Sequence, residues 1–118
     1  MRSKLLILTF LAGALGSSLR YLIGELTGSQ AITLWVVNLL GALLLGLVHT
    51  SKLTRTTSLQ AVLGTGFAGG FTTVSGLITF ALLAADGAFG LAAIQVALGI
   101  LTYWLGRIVG GERPWLKS

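Results

Sequence analysis

Apolar residues run in four long blocks along this chain, separated by short polar clusters, and the blocks predict helices over 5–26, 32–50, 59–84 and 89–109. Each block reaches the roughly 20 residues needed to cross the hydrocarbon core of a bilayer. The first connection holds Gly28 and Ser29, the second (51–57) is polar and basic, and the third centres on Asp86 and Gly87. The third block departs from the pattern. Its middle, GTGFAGGFTTVSGLIT over residues 64–79, crowds glycines and hydroxyl residues where a spanning helix needs continuous apolar surface. Lipid offers no water to satisfy freed backbone groups, so a break at this depth persists only inside protein or along a polar cavity. Interrupted helices of this kind build transport sites.

Composition agrees with the pattern. Of 118 residues, 54% are hydrophobic and 9% charged, and the mean hydropathy is +0.92, which excludes an ordinary soluble domain. The expected architecture is a single all-α transmembrane domain of four helices, the third broken at its centre. Arg2 and Lys4 ahead of LLILTFLAGALG resemble a secretory signal, yet the apolar run continues to Ile23, which favours an uncleaved first helix. A net charge of +5 raises the question of nucleic acid, but the basic residues sit at segment ends and form no stripe. Alternating the four spans across the membrane places Arg2, Lys4, Lys52, Arg55, Arg107, Arg113 and Lys117 on one side and no Lys or Arg in the opposite loops. That bias predicts both termini in the cytoplasm of a cell-membrane protein. Trp115 and Lys117, beyond Pro114, suit the membrane interface.

Few side chains in the spans can do chemistry. Thr9, Gly13, Gly16, Arg20 and Gly24 recur at spacings of three and four, which puts a small-residue stripe and one cation on a face that must meet protein. Arg20 fits either a polar vestibule or a structural pairing with Glu25 or helix C-terminal carbonyls. Asn38 is the strongly polar residue of the second span, and its amide can clasp a neighbouring helix or face a pore. Gly41 on nearly the same face permits close approach. Thr72, Ser75 and Thr79 follow Gly69 and Gly70 at spacings of three and four, so their hydroxyls form a polar track unless they bond back to their own helix. A break near 69–73 leaves half-helix ends, whose carbonyls suit a small cation and whose N–H groups suit an anion. The chain has no cysteine, and His49 alone builds no metal site. No nucleophile and base pair is evident, so an enzyme is not expected. No acid falls at a predicted midplane. The inventory of neutral donors and one arginine suits a small anion that accepts hydrogen bonds.

Three segments in order, GALGSSLRY (13–21), TLWVVNLLGALLLG (33–46) and GTGFAGGFTTVSG (64–76), resemble the signatures of the Fluc/CrcB fluoride channels, and Trp104-Leu105-Gly106 fits the family's final span. The resemblance covers nearly the whole chain. It implies a dual-topology dimer, two four-helix subunits of opposite orientation enclosing fluoride pores and a central structural sodium ion. Asn38 matches the family's pore asparagine and Arg20 the basic residue of the vestibule. Thr72, Thr73 and Ser75 match the polar part of the third motif, and Thr79 joins them by helical spacing. The backbone carbonyls of Gly69 and Thr72 fall at the sodium positions. Where the family places two phenylalanines whose ring edges contact fluoride, this chain has Val74 and Leu77, which supply no partial positive charge. Near Gln95 the resemblance assigns no residue.

The missing rings and the charge bias lead to one expectation. A self-sufficient antiparallel homodimer needs copies inserted both ways and so a weak bias, whereas this chain is fixed in one orientation. It is therefore expected to pair with a homologous subunit of inverted Lys/Arg distribution that keeps the aromatic positions. Two alternatives stand beside the channel. A small multidrug exporter has four helices of this length but depends on a membrane-embedded acid, and Glu25 lies near a helix end. A non-conducting partner subunit needs only the glycine stripes.

Overall fold

A computed structural model describes residues 2–51, 56–83 and 88–111. Four apolar helical spans, each long enough to cross a membrane, account for nearly all of them. Lys52, Arg55, Ala84, Asp86, Gly87, Arg113, Pro114, Trp115 and Lys117, used in the charge, boundary and connection readings above, lie outside the described residues.

Helix α1 covers Arg2–Thr27 and α2 Gln30–Thr50. The helix therefore starts three residues before the apolar block, because Arg2, Ser3 and Lys4 extend it without needing burial. Only Gly28 and Ser29 separate the two helices. Gly28 takes the left-handed φ of 64° that closes a helix C-terminus, and its N–H bonds to the Gly24 carbonyl at 3.0 Å. Ser29 then caps α2, its hydroxyl accepting from the Ile32 N–H at 3.3 Å.

The third span begins as α3, Thr57–Gln60, capped by Thr56. It widens into a π-helical stretch over Ala61–Ala68 and returns to α4 at Gly69–Phe71. Such wide turns are rare and tend to fall at functional sites. After the extended residue Thr72 (φ −86°, ψ 164°) and Thr73, helix α5 runs over Val74–Leu83. The last span is α6, Ala88–Val109.

Two glycine-lined seams hold these pieces together. On the first, α1 meets the π-helical stretch and α4 at backbone distance: a Cβ on Gly70 would run into the Gly13 carbonyl, and one on Gly16 into the Phe67 carbonyl. The small-residue face of α1 thus meets protein, as its spacing predicts. On the second, α2 packs along α6, with Gly46 against the Tyr103 carbonyl and Gly106 against that of Leu43. Close approach of this kind substitutes for the hydrophobic drive that lipid removes. The hydrophobic core is small, formed by Leu34, Val37, Val48, Ala68 and Phe71, and the subunit is a slab only 21 Å thick, about two helix diameters.

Candidate functional site: the interrupted third span

The break lies at Thr72–Thr73, and the structure shows why it stops where it does. The α4 end keeps one more backbone bond, Thr72 N–H to the Ala68 carbonyl at 3.0 Å. In an unbroken helix the Thr73 N–H would next bond to the Gly69 carbonyl, and the Gly76 N–H to that of Thr72. Both donors are diverted. The Thr73 N–H bonds to Asn38 Oδ1 at 2.8 Å, and the Gly76 N–H to Thr73 Oγ1 at 2.9 Å. Thr73 is thereby the N-cap of α5, held in place by a side chain from α2.

Asn38 completes the clasp. Its Nδ2 donates to the Thr73 carbonyl at 3.3 Å and to Gln95 Oε1 on α6 at 2.7 Å. One amide thus ties the second, third and fourth spans together at the break. Gly41, one turn on, admits the Thr72 side chain against the α2 backbone, where any Cβ would collide with its methyl group.

A cavity of about 310 Å³ opens beside this clasp, lined by Asn38, Thr72, Thr73, Val74, Leu77 and Gln95 among others. Val74 and Leu77 thus line the same cavity as Asn38. A second cavity, about 560 Å³, lies across the break and takes in Arg20, Glu25, Thr33, Thr73 and Gly76. Thr73 borders both. Arg20 and Glu25 share the wider cavity, and no ion pair joins them.

The hydroxyl track predicted from spacing divides. Thr72 Oγ1 bonds back to the Ala68 carbonyl at 2.9 Å, the self-satisfying arrangement open to any helical threonine. Ser75 Oγ pairs with Thr73 Oγ1 at 3.3 Å but lines neither cavity, and Thr79 is exposed on α5 away from both. The structure gathers Asn38, Thr72 and Thr73, leaves Ser75 at their margin and leaves Thr79 outside. Gln95 is the residue that spacing alone did not single out. Its signal was an uncharged amide in the middle of an apolar span, the same signal that marked Asn38.

The carbonyls of Gly69 and Thr72 are left by this rearrangement without their helical donors, at one bend of the chain. Hard, uncharged oxygens suit an alkali or alkaline-earth cation, so these residues fit a small cation by donor type. His49 has a different role: its Nδ1 lies 2.8 Å from the Tyr103 hydroxyl, which also accepts from Arg107 at 3.0 Å, an α2–α6 tie beyond the cavity.

Four apolar spans and a broken helix whose freed N–H groups at Thr73 and Gly76 are recaptured by side chains define a small multi-pass membrane protein built around an interrupted span. The chain belongs to the CrcB family: the family model described as "CrcB-like protein, Camphor Resistance (CrcB)" matches residues 7–107. It is 38% identical over 114 residues to the fluoride-specific ion channel FluC 2 of Rhodococcus jostii (strain RHA1), covering 93% of this chain and 92% of the relative. Identity to FluC 2 of Bacillus subtilis (strain 168) is 33% over 111 residues, 91% of this chain and 85% of the relative. A fluoride-specific ion channel FluC 1 of Ligilactobacillus salivarius (strain UCC118) is 45% identical over 69 residues, 55% of this chain and 59% of that protein. No solved structure matches the chain.

Proposed function

We propose that this chain is a subunit of a fluoride-specific ion channel that lets fluoride leave the cytoplasm passively across the cell membrane. The single observation that supports this most is the break itself. Backbone freed within an apolar span is recaptured by Asn38 and Thr73 beside a cavity that also holds Gln95, in a chain whose relatives carry the name of fluoride channels. The cavity presents neutral donors and no acid, the chemistry a small, strongly hydrated anion needs in exchange for water. Arg20 in the wider cavity acts as the vestibule cation that draws the anion toward Thr73. An inside-negative potential expels the anion, each charge gaining about 2.3 kcal/mol per 100 mV.

In this reading Asn38, Thr72 and Thr73 line the path, while Ser75 and Thr79 on the exposed face of α5 complete it against a second subunit. Gly69 and Thr72 would hold a structural sodium ion through their carbonyls, and such an ion would fix the bend by balancing its exposed oxygens. The subunits pair antiparallel. The seven-to-none distribution of Lys and Arg and the relatives numbered FluC 1 and FluC 2 favour a homologous partner of opposite orientation over a second copy. Val74 and Leu77 favour a related second reading, in which this subunit mainly supports a pore whose ring edges come from the partner. The exporter alternative gains nothing, since Glu25 sits in the last turn of α1.

The test is fluoride efflux from vesicles holding the chain co-purified with a homologue of inverted charge bias. Release is expected from the pair, and loss of release on Asn38→Ala or Thr72→Val. Equal release from this chain alone would refute the pairing; no release from either would refute the channel.

A further inference from the structure

Away from the break, the smaller cavity reaches Leu45 on α2, Gly64 on the π-helical stretch and Gly99 on α6. One helical turn beyond Leu45 stands His49, and one turn beyond Gly99 stands Tyr103. Helical side chains lean back toward the N-terminus of their own helix, so both lean toward the cavity from its end. They meet there: His49 Nδ1 lies 2.8 Å from the Tyr103 hydroxyl, and the two rings sit edge to face at 5.8 Å.

The protons of this pair are placed by Arg107. A guanidinium can only donate, so the Tyr103 oxygen accepts from Arg107 Nη1 at 3.0 Å. The phenol has one proton of its own, and among the described residues its one other hydrogen bond runs to His49. Nδ1 therefore accepts, and the proton of the neutral imidazole sits on Nε2. That nitrogen has no hydrogen-bond partner among the described residues. It faces the cavity wall, since a Cβ on Gly64 would lie 3.9 Å from it. The chain of donations runs in one sense, from Arg107 to Tyr103 to His49, and each makes the next proton a better donor. Arg107 also offsets a liability of the place. Both α2 and α6 end here, and their terminal carbonyls disfavour an anion; the guanidinium, 5.7 Å from the Tyr103 and Trp104 rings, supplies the opposing charge.

From this geometry we infer that His49 Nε2–H is an entry site for the anion, at the end of the cavity that the charge bias puts in the cytoplasm, and that Tyr103 and Arg107 are the positioning residues that aim it. The inference rests on the channel reading above and adds a point of first contact to it.

The decisive variant is His49→Asn. Its amide oxygen stands where Nδ1 stood and still accepts from Tyr103, so the α2–α6 tie survives, while nothing remains at the place of Nε2. In vesicles holding the complete assembly, the internal fluoride concentration that gives half-maximal release should rise about fivefold, the scale of one solvated hydrogen bond, with the maximal rate unchanged. His49→Gln, whose longer amide returns an N–H to that place, should recover most of the loss. Wild-type behaviour of His49→Asn would overturn the inference, as would a fall in maximal rate alone. A second measurement reads the wild-type protein in micelles. Its 15N imidazole spectra should show the His49 proton on Nε2, and added fluoride should move that resonance; Tyr103→Phe should mix the two tautomers. A wild-type proton on Nδ1, or an Nε2 signal indifferent to fluoride, overturns the assignment. Wild-type vesicles that release no fluoride while Nε2 responds to it would sink the transport reading and leave the site standing.

Discussion

The third span has two halves that behave differently. Before the break, the π-helical stretch and α4 are seated on α1 through backbone contacts, with Gly64, Gly66, Ala68 and Phe71 buried and Phe67 stacked on Phe71 at 5.8 Å. After it, α5 buries none of its residues over 74–82 fully and leaves Val74 71%, Ile78 54% and Leu82 70% exposed. Both halves are apolar, so hydropathy does not separate them. Glycine does: residues 64–70 let the first half sink against its own subunit, whereas α5 has a glycine only at Gly76, inside the cap, and meets α6 across an open apolar groove of about 280 Å³. The first half is packed within its own subunit, and the second turns most of its apolar face outward.

The contrast is broken most severely at the scaffold. A Gly70→Val chain must push its Cβ into the Gly13 backbone, which no rotamer can relieve, and should lose about 3 kcal/mol or fail to accumulate in membranes. Membrane yield and thermal unfolding in detergent measure this. Next comes Asn38→Leu, which strips the Thr73 N–H of its acceptor and frees both Gln95 and the α5 cap. A cost of about 2 kcal/mol and the loss of fluoride efflux are expected. Removing only the cap with Thr73→Ala should cost about 1 kcal/mol, seen as faster amide exchange at the start of α5 and little change in α4.

The exposed half should tolerate far more. Restoring ring edges with Val74→Phe and Leu77→Phe together is expected to leave the unfolding temperature nearly unchanged and to raise fluoride efflux, since both side chains line the cavity wall. The smallest stability effect is expected from Ile78→Ser, within about 0.5 kcal/mol for the isolated subunit. That same change should weaken subunit association measured by cross-linking in vesicles, if α5 is completed by a partner.

Much of this was legible in the chain. Four apolar blocks of spanning length point to four helices, and the glycine and hydroxyl cluster at 64–79 marks the third as irregular, although its glycines serve the α1 seam and the break falls just after them at Thr72–Thr73. Asn38 was visible as a lone amide. What sequence did not reveal was direction. Thr72 and Ser75 share a helical face by spacing, but Thr72 turns its hydroxyl back to Ala68, and the extended backbone at Thr72 removes the helical register on which the spacing argument depends. Gln95 escaped notice as a site residue because its partner is 57 positions away, and only the folded α2–α6 seam brings the two amides together. The π-helical widening likewise reflects how α1 and α2 seat the glycines, not any local propensity.

The central claim is that the break at Thr72–Thr73, held open by Asn38, is the fluoride path. Its most direct test is fluoride efflux from vesicles holding the paired assembly, wild type beside a folded Asn38→Leu assembly at equal protein. The wild type should release its fluoride while the variant retains it; equal release from both would contradict the claim.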